Sequence, residues 1–446
     1  MTRHTGGAAR TSSADARGIA LDVLVRVAAG DTADRTLDCA LREARPEARE
    51  RALATELVYG VLRRRGSLDA LLAPHSSRPL DSLDDAVRSA LRLGAYQIAF
   101  LDRVPAHAAV DATVRAVKRH RRAAAGFVNA VLRALLRAGG AGAAAAPDPF
   151  VDVPAWWAER WRARYGEQRA AAWFAAAMRP SPLVVRPHPR VLPAAQLVEA
   201  LAGEGVALQP ARHAPGALVV QHGNPMASPL LQRGVFAVRG EASQLVAGLL
   251  PVPAGGRVLD ACAGRGGKTL QIAEDSDAAG VVAIDRSGWR AAACRRDARA
   301  AALREVAVVV GDMAAAPPLR GPFDTVLVDA PCSGLGTVRR RPELKWRATP
   351  ARIERLARLQ AAILDCCAGL LAPGGELLYV TCSTEPEENE QVVAKLVARR
   401  DDLAARPLAL PAGLDAALVG ADGCLRTYPD HAELDGFFAA RLVKVR

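Results

Sequence analysis

Five short apolar runs in the second half of the chain, Arg257 to Leu259, Val281 to Ile284, Val306 to Val310, Thr325 to Val328 and Leu377 to Val380, alternate with alanine- and arginine-rich helical stretches. This alternation predicts a parallel sheet with helices on both faces. Open sheets of this kind gather ligands and reacting groups just beyond the carboxyl ends of their strands. The residues that follow each run are therefore the ones that bear on function.

The rest of the chain has a different texture. From Gly18 to about Arg137 the pattern is helical: Leu53, Leu57, Val58, Val61 and Leu62 fall on one helix face, closed by Arg63, Arg64 and Arg65, and further helical stretches run from Asp85 to Phe100 and from Ala106 to Arg119 behind Pro105. The segment Ala138 to Pro149 breaks this periodicity with glycine and proline and reads as a linker. A tryptophan-bearing helix follows, in which Trp156, Trp157 and Trp161 suit a core better than a base-stacking platform. Apolar runs at Pro182 to Arg186 and Ala217 to Gln221 then suggest a small α+β domain. The expected organisation is a disordered tail (1–16), an all-α domain (17–140), a small α+β connecting domain (150–235) and an α/β Rossmann-like domain (236–446).

Charge narrows the partner. The 446 residues carry 59 basic and 47 acidic side chains, a net +12, and the first 140 residues hold 23 basic against 15 acidic. Part of this reflects an arginine-rich composition, with only five lysines in the chain, but two thirds of the excess sits in the helical third, which favours a polyanionic partner, nucleic acid above all. Lys118, Arg119, His120, Arg121 and Arg122 are the best phosphate-contact candidates, and a solvated helix end explains them nearly as well. No apolar run is long enough to span a membrane and the start lacks a signal-peptide core, so a cytoplasmic protein is expected, and with no strand edge or apolar stripe to suggest an oligomer, a monomer. The eight cysteines are scattered without paired CxxC spacing or a histidine cluster, so no metal and no disulfide framework is expected.

The first strand runs into a glycine-rich loop and a helix, with Gly264, Gly266 and Gly267 free to turn sharply and approach a ligand. The next strand ends in Asp285, at the distance along the chain where an acidic side chain grips ribose hydroxyls, and the third ends in Gly311 and Asp312, within reach of an adenine amino group. The loop is neither G-x-G-x-x-G nor a P-loop, so a nucleoside with little phosphate is the better ligand class, with S-adenosylmethionine leading. The fourth strand then delivers Asp329 and Cys332 and the fifth Cys382, both thiols in short polar turns rather than on apolar faces. Cys39, Cys294, Cys366 and Cys367 read as inert buried residues. A thiolate beside a methyl donor suggests attack on carbon 6 of cytosine, which turns carbon 5 into a nucleophile, with Asp329 holding the pyrimidine edge. Chemistry alone leaves open which thiol attacks.

The run from Val258 to Thr269, DAPCSG at Asp329 to Gly334, RRRPELKW ending at Trp346, YVTCSTEPEENE ending at Glu390 and DGFFAARL near the C-terminus together resemble the RNA cytosine-5 methyltransferases of the Nop/Sun type. The helical region, with ELVYGVLRRR and AAGFVNAVLR, resembles the NusB-like RNA-binding domain that precedes the catalytic part in the RsmB/Sun branch. The resemblance covers nearly the whole chain. It implies a class I methyltransferase domain that uses S-adenosyl-L-methionine on small-subunit ribosomal RNA. It also implies a cofactor site of Cys262, Ala263, Gly264, Arg265, Gly266, Gly267 and Lys268 with Asp285, Asp312 and Asp329, Cys382 as nucleophile, and Cys332 as the thiol that helps release product.

Arg265 stands where the family usually has proline, which removes a fixed φ and adds a cation beside the expected methionine carboxylate. GEAS at Gly240 to Ser243 stands where the family more often has DEAS. Lys345 and Trp346 are balanced between an RNA contact and a structural role. Two other functions compete: a cytosine-5 methyltransferase acting on transfer RNA, and a catalytically inactive RNA-binding or antitermination factor. The second would be signalled by loss of either thiol or of Asp285, and all three are present.

Overall fold

A computed structural model describes residues 15–140, 148–315 and 317–445. The expected tail, apart from Asp15 and Ala16, and most of the expected linker lie outside the described residues. The chain divides into two compact units, Met1–Met178 with Arg341–Arg347, and Arg179–Arg340 with Ala348–Arg446.

The first unit is helical. Asp15 caps the helix Ala16–Ala28 by accepting from the Arg17 amide, so the helix begins inside the stretch read as tail. The helices Ala33–Ala44, Ala48–Arg63, Arg65–Leu72, Asp85–Phe100, Ala106–His120 and Ala125–Arg137 follow. Asp85–Phe100 is buried nearly all round, from Ala86 to Ile98, as a central helix must be. Its buried Gln97 is satisfied on both sides: the amide donates to Leu93 O and Thr113 Oγ1, and the carbonyl accepts from Arg17 Nε. Arg65 opens the next helix rather than closing Ala48–Arg63, and Arg63 is buried.

The tryptophan helix Ala155–Tyr165 and its partner Glu167–Ala177 also belong to this unit. Trp161 stacks on Trp173 at 4.4 Å, and Trp157 meets Phe174 edge-on at 5.0 Å. Trp157 and Trp161 are thus core, while Trp156 is partly exposed beside Arg160. The fully buried Asp152 anchors this pair by accepting from the Ser67 amide (2.9 Å) and hydroxyl (2.7 Å). Lys345 is fully buried here, with Nζ donating to Arg63 O at 2.8 Å, and Trp346 Nε1 donates to Leu62 O. Both are occupied within the helical unit, so the structural side of that balance holds for them.

The second unit contains two sheets. In the small one, β1 (Val184–Pro187), β2 (Ala207–Pro210), β3 (Leu218–His222) and β4 (Phe236–Val238) pair antiparallel in the order β2-β3-β1-β4. Leu197 and Leu201 of the helix Ala194–Gly203 share a core with Val185, Leu218 and Phe236.

The large sheet holds β5 (Arg257–Asp260), β6 (Gly280–Asp285), β7 (Val306–Val310), β8 (Phe323–Asp329), β9 (Leu371–Thr381), β10 (Leu403–Arg406), β11 (Leu425–Thr427) and β12 (Phe437–Lys444), in the order β10-β12-β9-β8-β5-β6-β7, with β11 also on β12. All five predicted strands form the parallel part. Alternate residues of these strands enter opposite cores, Val258, Leu327 and Leu378 on one side and Leu259, Val326, Val328 and Leu377 on the other, which is why the runs are continuously apolar. The sheet is mixed rather than purely parallel, because β12 lies antiparallel between β9 and β10. Its sequence, FFAARLVK, carries arginine and lysine because its far end is half exposed: Arg441 pairs across the ladder with Glu376 at 2.6 and 2.7 Å. Strand order reverses at β5, with β6 on one side and β8 on the other, opening a crevice at their carboxyl ends.

Candidate functional site

Around that crevice the glycine loop leaves β5 and enters the helix Gly267–Asp275. Gly264 and Gly266 have φ of +57° and +85°, a region glycine adopts without penalty. At Gly266 a side chain is excluded twice over, since a Cβ would stand 2.4 Å from Cys294 Sγ, whereas at Gly264 it would meet open space. The Asp285 carboxylate, almost wholly buried at the end of β6, accepts from Gly264 N (3.0 Å) and Ser287 N (2.7 Å), with Arg290 at 3.4 Å. It therefore holds the loop as well as facing the crevice edge. Asp312, beyond β7, accepts from Ala314 N. Arg239 donates to Gly267 O, so the residue preceding GEAS holds the start of the loop's helix.

Beneath the loop, Asp260 is buried and accepts from Thr269 Oγ1 at 2.6 Å; burial pushes its carboxyl up to about 6. Lys268 and Asp329 form a 2.6 Å ion pair, and the Lys268 ammonium lies 5.5 Å from the centre of the Phe437 ring. Arg265 is exposed and stacks its guanidinium against Trp289, 5.6 Å from the ring centre. That gives the residue in the proline position a partner that no sequence pattern announced.

The two thiols meet. Cys332, in the turn after β8, and Cys382, directly after β9, bring their sulfurs to 3.3 Å. Either can donate, but the hydrogen bond to Cys382 and the loss of solvent hold the Cys332 thiol well above its ordinary range. Gly336 N donates to Cys382 O at 2.9 Å, and Gly436 N to Gly336 O at 2.7 Å, so the PCSG, TCS and DGFF segments converge through backbone contacts. The remaining cysteines sit apart from this pair in character. Cys294, Cys367 and Cys424 are buried, and burial raises the thiols of Cys262, Cys294, Cys366, Cys367 and Cys424. Cys39 is exposed, contrary to its reading as buried, because it falls on the outer face of Ala33–Ala44.

Glu388 was passed over in the sequence, submerged in the acidic run Glu385 to Glu390. Its fully buried carboxylate accepts from Ser333 N (2.8 Å), Ser333 Oγ (2.5 Å), Ser383 Oγ (2.5 Å) and Gln360 Nε2 (3.2 Å). Glu385 is buried as well, so what distinguishes Glu388 is the set of donors that converge on it, and no local pattern marks that. In the helical unit, Arg121 pairs with Asp84 and His120 with Asp22, while Lys118, Arg119 and Arg122 are exposed with no ion-pair partner among the described residues. Among those residues no group of three or more metal-binding side chains occurs, and no helix is long and apolar enough to cross a membrane.

Three family models match the chain: the NusB family over residues 14–137, an RsmF/B-like ferredoxin-like domain over 153–227, and the 16S rRNA methyltransferase RsmB/F over 247–443. The ribosomal RNA small subunit methyltransferase B of Xanthomonas campestris pv. campestris is 36% identical over 92% of this chain and 93% of its own. The protein of the same name from Thermus thermophilus is 36% identical over 96% of this chain and 98% of its own. Among solved structures, the chain titled PH0851 superposes with a TM-score of 0.82 at 23% identity, over 97% of this chain and 99% of that one. NSun6 from Pyrococcus horikoshii, solved with SFG, superposes with a TM-score of 0.58 at 21% identity, over 66% of this chain and 98% of that one. Both share the fold.

Proposed function

Because the chain belongs to the RsmB/F family of ribosomal RNA small subunit methyltransferases, we propose that it methylates carbon 5 of a cytosine in 16S ribosomal RNA, using S-adenosylmethionine and a covalent bond from Cys382 to carbon 6 of the base. The observation that carries this reading is the thiol pair: two cysteines on adjacent strand ends, 3.3 Å apart, beside the crevice where strand order reverses.

The loop fits the cofactor. Gly264 leaves open space where a side chain would stand, and Asp285 presents a carboxylate at the end of β6. Gly264, Gly266, Asp285 and Asp312 would hold the nucleoside, and the NSun6 relative of this fold was solved with SFG, an S-adenosylmethionine analogue. When bound, S-adenosylmethionine supplies the electrophilic methyl group. The chain supplies the rest. The Cys332 thiol, held well above its ordinary range, can donate its S–H to a Cys382 thiolate, and Cys382, in the position of the family's TCS nucleophile, is the one that adds to carbon 6. Asp329, held by Lys268, faces the pyrimidine edge as charge develops. Cys332 then helps release the product: the carbon 5 proton passes to a water base, the electrons of that C–H bond re-form the carbon 5–carbon 6 double bond, and the Cys382 thiolate leaves. Exposed Lys118, Arg119 and Arg122 contact RNA phosphates, and the protein works as a cytoplasmic monomer.

The test is methylation mapping in a strain lacking the gene, joined to assays of the purified protein on unmethylated small-subunit RNA. One 5-methylcytosine should vanish from 16S ribosomal RNA and return on complementation; loss from transfer RNA instead would refute the substrate. Cys382→Ala should abolish transfer, and full activity in that variant would refute the nucleophile. Cys332→Ala should still transfer methyl but remain covalently trapped on RNA, and free turnover would refute its role.

A further inference from the structure

The two thiols arrive on different strands, and nothing in the covalent chain sets their separation. One side chain joins both turns, that of Glu388. Its carboxylate receives hydrogen bonds from the residue after each cysteine, Ser333 and Ser383, whose hydroxyls are themselves 3.2 Å apart. Its own backbone is fixed by Tyr379, whose hydroxyl donates to Glu388 O at 2.6 Å. Gln360 adds a second brace by donating both to Pro331 O, next to Cys332, and to Glu388 Oε1.

No ion pair involving Glu388 occurs among the described residues, and it is fully buried. A buried carboxylate without a cation is expensive to keep unless its oxygens are saturated by donors. An ionised carboxylate only accepts, on both oxygens, so both serine hydroxyls are obliged to point at it. Leucine fills much of the same space with no acceptor, so Ser333 N, Ser333 Oγ and Ser383 Oγ would lose their common partner together.

We propose that Glu388 is the positioning residue of the thiol pair: one buried carboxylate grips the serine following each cysteine and thereby sets the distance at which Cys332 and Cys382 face each other. The role in catalysis rests on the function proposed above; the geometric role does not.

The test uses the full-length protein and two readouts. Without RNA, dibromobimane bridges neighbouring thiols as each sulfur displaces one bromide, and peptide mass spectrometry quantifies the Cys332 to Cys382 bridge. Glu388→Leu should bridge this pair about tenfold more slowly or worse, since displacing reacting groups by ~1 Å can cost about a hundredfold in rate. With RNA, the same variant should show a lower kcat, an unchanged KM for S-adenosylmethionine, and slower formation and release of the covalent protein–RNA adduct. A purely structural role would leave the surviving folded fraction bridging and reacting at the wild-type rate. Wild-type bridging by a folded Glu388→Leu overturns the proposal. If that variant does not fold by circular dichroism, Ser333→Ala and Ser383→Ala each remove one tie; slower bridging in both supports the proposal, and wild-type bridging in both overturns it. Should the wild-type protein bridge readily but methylate no cytosine, the function above fails while the bridging comparison still decides the role of Glu388.

Discussion

Replacing Gly336 by alanine is the sharpest test of how the site is assembled. Gly336 has an ordinary φ, so glycine is not needed there for backbone freedom. It is needed for room. A Cβ would stand 2.0 Å from Gly436 O and 2.6 Å from its carbonyl carbon, and backbone cannot swing aside as a side-chain tip can. Parting the two segments enough to seat a methyl group stretches Gly436 N to Gly336 O, now 2.7 Å, and Gly336 N to Cys382 O, now 2.9 Å, beyond hydrogen-bonding range. Two backbone hydrogen bonds at about 1 kcal/mol each, with about 1–3 kcal/mol for overpacking, make a loss of about 3–5 kcal/mol. Amide hydrogen exchange on peptides spanning 371–381 and 437–444 measures it locally, which matters in a chain of more than one unit. The control is Gly369→Ala at the exposed end of the helix Pro350–Leu370, where nothing stands within 4 Å; it should stabilise by about 0.5–1 kcal/mol. Gly336→Ala within about 0.5 kcal/mol of wild type, on the same scale of surface substitutions, would refute the close-approach reasoning.

Asp260 ionises at about 6 in the folded chain against 3.8 for the free carboxyl, so its contribution to stability is complete below about 4 and lost as pH rises through about 6. Asp260→Asn should remove this loss, on the order of 3 kcal/mol, from thermal unfolding followed between pH 4 and 7; parallel curves would contradict it. Lys345, lowered from 10.5 to about 7 by burial, contributes stability that is present above about 10.5 and lost as pH falls through about 7. Lys345→Met should therefore gain on wild type by several kcal/mol as pH falls from 10 to 7, read by the fluorescence of the tryptophans in the helical unit. Asp285→Asn weakens the carboxylate held by Gly264 N and Ser287 N, so calorimetry with S-adenosylhomocysteine should show affinity reduced by about tenfold to a hundredfold, and unchanged affinity would remove Asp285 from the cofactor site.

Much of the sheet was legible because burial on both faces leaves a purely apolar trace. Val281 to Ile284 and Val306 to Val310 need no knowledge of their neighbours to read as strands. The strand Phe437–Lys444 was not legible, since its arginine and lysine become reasonable only once Glu376 of the neighbouring strand lies diagonally from Arg441 and the Ala368 and Leu371 carbonyls receive Lys444. The same limit hid Glu388. Four glutamates in six residues look alike in sequence, and what separates this one is the convergence of donors from Ser333 and Gln360, 55 and 28 residues away. Lys345 shows a related case: a lysine in a basic motif stays balanced between an RNA contact and a structural role until its ammonium is found inside a helical core, on the Arg63 carbonyl.

Local chemistry, written in neighbouring residues, was sufficient for the fold class, and it marked the glycine loop, the acidic strand ends and two thiols of eight as candidates. Their juxtaposition was decided by the tertiary structure: β8 and β9 lie side by side and Glu388 ties the turns that follow them, with Cys332 and Cys382, 50 residues apart in the chain, at 3.3 Å. Spacing along a chain specifies periodicity and turn chemistry, whereas a distance between two strand ends is set by the packing and hydrogen bonds of everything between them.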